Sequence, residues 1–158
     1  MSQTSYPTAP GAAYAGMLIK SHFTETGFSE EASADMPWGS VLANGSADTG
    51  CLLPAAETDL LKGVLLHAHS YAAEQLADDA SGVLPDQLLN VMRQGRCYVT
   101  CEGAVTDGAG AYVRYAGSGE KGAVLATHTP GETIDARQWI TFRSTTSGSG
   151  ICEIEVKF

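Results

Sequence analysis

The sequence predicts an all-β chain: a compact antiparallel β-sandwich or jelly-roll-like domain over residues 37–158, preceded by an extended arm over residues 1–36. Three observations carry this. Apolar and polar residues alternate with the two-residue period of half-buried strands from Cys97 to the end. Gly-rich turns recur between those runs, at 107–110, 117–122 and 147–150. Composition changes at Pro37: residues 1–36 hold Pro7, Pro10, Gly11, Gly16 and Gly27, the acidic stretch Glu30, Glu31 and Asp35, and few β-branched residues.

Each element has its own signal. In the arm, Gly16-Met17-Leu18-Ile19 reads as a short strand, and the scattered Tyr6, Tyr14, Phe23 and Phe28 suit an extended segment that is disordered or lies along a partner. Trp38–Ala43 is an apolar run ending at the turn Asn44-Gly45. Leu61–His69 is a second run, with Gly63 as a possible bulge. Residues 72–80 read as one helical turn or an acidic loop. Residues 84–95 stay open: Pro85 and Gly95 frame a helix, yet Leu88–Met92 reads equally as a buried strand. Cys97–Glu102, Ala111–Tyr115 and Trp139–Arg143 then alternate. Ile151–Phe158 is the cleanest strand, with Cys152, Ile154, Val156 and Phe158 on one face and Ile151, Glu153, Glu155 and Lys157 on the other.

Charge narrows the function classes. The net charge is −9, which argues against a nucleic-acid binder. Residues 1–90 carry 11 acids against Lys20 and Lys62, net −9, whereas residues 91–158 carry 7 acids and 7 bases, including all five arginines. No apolar run is long enough to span a membrane, and the N-terminus lacks the pattern of a secretory signal, so synthesis and folding in a cytoplasm are expected. In that compartment Cys51, Cys97, Cys101 and Cys152 are expected as small buried hydrophobes rather than disulfides.

Chemistry has few places to reside. His67, His69 and Glu74 have a spacing that partly resembles the first metal motif of cupins, but the gap from Gly63 is too short and only His128 offers a further ligand. There is no GxSxG and no phosphate-binding loop. A thiol nucleophile from Cys97 or Cys101 with His128 would need an exposed cysteine, which the strand pattern opposes. The reading is therefore no catalytic, cofactor or metal residue. Tyr112, Arg114, Trp139 and Arg143 fall on the more polar sides of their strands and are the expected partner-contact residues, being hot-spot types. Tyr112 and Trp139 equally suit stacking on a sugar, so a carbohydrate-binding β-module is an alternative, as is a cupin-like metal enzyme or small-ligand binder.

Several short motifs resemble one known family. Asn90–Val99, Ala111–Tyr115, Phe142–Gly150 and the closing Glu153–Val156, with Gly16–Ile19, Met36–Val41 and Leu61–Val64 at the front, are similar to the structural cement (decoration) proteins of tailed-bacteriophage capsids. Residues 72–84 match least. The resemblance implies a compact β-sandwich or jelly-roll-like domain without catalytic residues or cofactor. It implies a homo-oligomer, dimer or trimer, on the outer capsid surface of the virion, bridging major capsid protein subunits. No family site is carried over residue by residue.

Overall fold

The computed structural model describes residues 13–31, 36–67 and 82–158. No helix occurs among them; the chain is all-β, as expected. The strands are β1 (Leu18–Ser29), β2 (Met36–Pro37), β3 (Val41–Asn44), β4 (Gly50–Leu52), β5 (Leu61–Leu66), β6 (Gly82–Val83), β7 (Leu88–Cys101), β8 (Tyr112–Arg114), β9 (Val124–Leu125), β10 (Thr133–Asp135), β11 (Ile140–Phe142) and β12 (Gly150–Lys157). Pairing is mainly antiparallel, but β1 runs parallel to β4 and β7 parallel to β9, so the large sheet is mixed.

The long strand β7 organises the molecule. Its first half lies between β1 and β5, where Met92 faces Thr24 on one side and Val64 on the other. Its second half keeps β1 as neighbour as far as Cys97 and takes β12 on its other edge, from Gln94 to Cys101. The strands β1, β4, β3, β5 and β7 thereby close into a ring, because β1 pairs with both β4 and β7. A closed ring leaves fewer open edges than a flat sheet.

Two cores result. Leu42, Cys51, Leu65, Leu89 and Val91 fill the ring with Met36 and Val83. Gly27 faces this space because a Cβ there would sit 2.7 Å from the Cys51 sulfur. The alternate residues Val41, Val64 and Met92 point outward into a second core with Cys97, Val99, Val113, Ile140, Phe142, Cys152, Ile154 and Val156. The ring strands β3, β5 and β7 are therefore buried on both faces where the cores meet, which accounts for consecutive apolar residues at Val41–Ala43, Val64–Leu66 and Val91–Met92. This also settles residues 88–95 as strand: the apolar run carries one set of side chains to each core.

Residues 18–29 differ from the arm expected of them. They are extended, but they belong to the chain's own sheet, paired with β7 from Leu18 to Phe28 and ending on β4. The period-2 signal is weak there because bulges interrupt the register at Ile19 and His22, and the outward residues include exposed Leu18, Ile19, Phe23 and Phe28. β1 supplies a wall of the ring.

The bulge expected at Gly63 is present. Leu42 faces Gly63 and Ala43 faces Leu61, leaving Lys62 as the extra residue. Its buried ammonium donates to the Asp48 carbonyl at 2.8 Å and the Gly50 carbonyl at 3.1 Å, and lies 4.0 Å from the Glu25 carboxylate. It thus ties β5 to the turn before β4 and to β1. Lys62→Met is expected to lower stability by about 1–3 kcal/mol, since buried acceptors lose their donor. Chemical denaturation of the variant checks this, and an unchanged midpoint would show that the lysine is dispensable to the ring.

Candidate partner-binding site

The four residues expected to meet a partner have different environments. Arg114 is only 9% exposed. Its guanidinium donates to Glu102 and to Glu132, each at 2.6 Å, and to the Ala116 carbonyl at 3.1 Å. It is a clamp within the fold, joining the end of β7 to the turns after β8 and before β10. Sequence periodicity could not show this, because both acids come from other segments.

Tyr112 is half-buried on β8. Its ring centroid lies 5.3 Å from that of His128 and 5.2 Å from the Arg137 guanidinium. Arg137 in turn grips Asp135 through two nitrogens at 2.9 and 2.7 Å. Trp139 stacks on Phe158 with centroids 6.2 Å apart and planes 22° from parallel, against the second core. Arg143 is exposed and donates to Glu155 at 2.7 Å, while Arg96 spans Glu153 and Glu155 at 3.4 and 3.5 Å. The arginines of this half therefore find carboxylates within the chain, and the exposed face of β7, β12 and β11 is close to charge-neutral.

One of these pairs gives a direct pH test. The hydrogen bonds from the Arg137 side chain, then from its backbone, hold the Asp135 carboxyl down at about 2. A carboxyl with a depressed folded value favours the fold above its unfolded value of 3.8, and that contribution fades as pH falls from 3.8 toward about 2. The group is exposed, so its share of stability is small. Carbon-detected NMR titration is expected to place Asp135 near 2, and Arg137→Ala to return it toward the ordinary value. A normal Asp135 titration in the wild type would contradict the pairing.

The histidine and cysteine expectations resolve unevenly. His67 is described, whereas His69 and Glu74 lie outside the described residues. Among the described residues no three His, Cys, Asp or Glu side chains gather as metal ligands. All four cysteines are free and buried. Burial, with a smaller effect of Glu153, pushes the Cys97 thiol far above its ordinary value, and burial does the same to Cys152. They pack as small hydrophobes.

A further concavity lies among the described residues. Tyr14, Ala15, Pro37, Trp38, His67, Thr100 and Glu120 line a cavity of about 440 Å³. Five segments converge on it: the turn before β1, the β2–β3 turn, the end of β5, β7 and the turn after β8. Two glycines hold them together. Gly16 and Gly39 both have φ of +78°, which favours glycine. A Cβ on Gly39 would sit 2.8 Å from the Gly16 nitrogen, and one on Gly16 would sit 2.7 Å from the His67 nitrogen. Backbone bonds lock the contact: Gly16 N–H donates to the Tyr98 carbonyl at 2.8 Å, and His67 N–H to the Gly16 carbonyl at 2.9 Å. Gly39 N–H donates to the Leu65 carbonyl at 3.0 Å. The His67 ring then meets Tyr14 edge-on at 5.3 Å and Trp38 at 4.6 Å. No local sequence signal marks this pocket, since its residues are spread from position 14 to position 120.

Comparison with known proteins bears on what such a surface serves. No curated protein matches the chain. Among solved structures, a chain from "The capsid of Myoviridae Phage XM1" shares the fold, with a TM-score of 0.69 and 15% identity over 98% of this chain and 98% of that one. A family model described as "Structural cement protein (E217 gp24/Pam3 gp6)" matches residues 2–157. Nearly the whole chain is covered, including β1 and the pocket walls, and the chain therefore belongs to the structural cement protein family of phage capsids.

Proposed function

We propose that this protein binds the outside of a phage capsid, bridges neighbouring major capsid protein subunits and stabilises the mature shell without catalysing a reaction. The observation that carries the reading is the family match over residues 2–157. The capsid origin of the structural neighbour agrees with it. The chemistry of the described residues supports it as well. The thiols are buried, the arginines are paired within the chain, and the concave site is aromatic with a single carboxylate. The net charge of −9 suits an outward surface that keeps virions apart. Homo-oligomerisation, as a dimer or trimer, would let one assembly span several joints.

Physically, a ligand that binds only the assembled shell stabilises it by mass action. A protein spanning a joint adds buried area there, and a stable contact needs about 1,600 Å² in total. Re-adding the protein to stripped mature shells is accordingly expected to raise the temperature at which they rupture. An unchanged rupture temperature at saturating protein would remove the stabilising role. The sugar-binding alternative finds less support, because the Tyr112 ring already has His128 and Arg137 beside it.

A further inference from the structure

We infer that the Tyr14–Trp38–His67 pocket is the receptor for a basic side chain, lysine or arginine, projecting from the capsid partner; this rests on the capsid-docking reading above. The volume of about 440 Å³ falls within the range of specific ligand sites, roughly 300–1,000 Å³. Its chemistry selects the occupant. Aromatic faces carry a negative potential that attracts ammonium and guanidinium groups. Glu120 adds a full negative charge at the edge of the same cavity, and no Lys or Arg lines it.

Charge bookkeeping across the molecule points the same way. Glu102, Glu132, Asp135, Glu153 and Glu155 each hold an arginine of this chain. The Glu120 carboxylate, exposed on its turn, has no such ion pair among the described residues. In this pocket, aromatic faces coincide with a carboxylate that no ion pair of the described residues engages. The Gly16–Gly39 contact fixes the walls before binding, which limits the ordering cost of association. An arginine would stack on Trp38 while pairing with Glu120; a lysine would approach the ring as a point charge.

The test has two arms on the full chain. First, N-acetyl-arginine amide, N-acetyl-lysine amide and neutral N-acetyl-norleucine amide are titrated while the indole N–H resonances of Trp38 and Trp139 are followed. The two cationic probes are expected to shift Trp38 alone, and norleucine to leave it in place. An equal response to norleucine would make this an apolar subsite, and no response to any probe would remove the pocket as a receptor; either overturns the inference. Second, Glu120→Lys and Tyr14→Ala are compared with wild type for binding to stripped mature shells. Both positions are exposed, so folding is expected to survive, and far-UV spectra check it. Each variant is expected to weaken binding by about tenfold or more, the equivalent of 1.4 kcal/mol. Wild-type affinity in both variants would overturn the docking role of the pocket and leave the capsid reading intact. Failure of the wild type itself to bind shells would remove the capsid reading, while the titration would still decide whether the pocket selects cations.

Discussion

Phe142→Ala is expected to lower stability by about 3–5 kcal/mol, the range for removing a large aromatic ring from a core that cannot collapse around the gap. Phe142 is fully buried in the second core. It sits on β11 opposite Ile154, with its backbone N–H on the Ala109 carbonyl at 2.8 Å and its own carbonyl accepting from Gly108 at 2.9 Å. Those bonds hold the strand in place, so the surrounding chain has little freedom to fill the space. For a domain of this size the loss corresponds to a fall in melting temperature of roughly 6–20 °C. Differential scanning calorimetry measures it directly. A change below about 1 kcal/mol, the level of a surface substitution, would mean that Phe142 is not tightly packed around β11.

Removal of residues 1–29 is expected to have a still larger effect. It deletes β1 and exposes the edge of β7 along most of its length. It also opens the ring at β4, uncovering Cys51, Leu89 and Val91. Total stability is typically about 5–15 kcal/mol, and the loss of a whole wall is of that order. The truncated chain is expected to show no cooperative unfolding of the ring and to associate through its open edge. Gel filtration and hydrogen exchange report both. A monomeric truncation with wild-type exchange protection in β3, β5 and β7 would show instead that residues 1–29 act as a separable arm.

How far the sequence foretold this depends on what each strand faces. β12 was legible because one side meets the core and the other meets water: Cys152, Ile154 and Val156 are buried, while Glu153 and Glu155 lie outside in ion pairs. The first half of β7 was not, because Leu89 and Val91 enter one core and Met92 the other, and a segment apolar on both sides has no period to distinguish strand from helix. β1 was hidden by its bulges and its exposed apolar side chains. The site was less legible still. Arg114 alternates like a surface residue, but Glu102 and Glu132 draw it inside. Tyr112 and Trp139 are at least partly accessible, each beside a second ring. Trp38 was visible only as the start of a strand, and nothing local linked it to Tyr14, His67 or Glu120. Such a pocket is a product of topology, through the Gly16–Gly39 contact. What the sequence did carry was the family, in short Gly-centred motifs spread over the chain.

Capsid docking is tested by co-sedimentation of the purified protein with mature capsid shells stripped of it, alongside unexpanded procapsids. Saturable binding to the mature shells, and not to procapsids, is the predicted result, and it would place the docking geometry among the surfaces created by shell expansion. Absence of binding to either form would contradict the account.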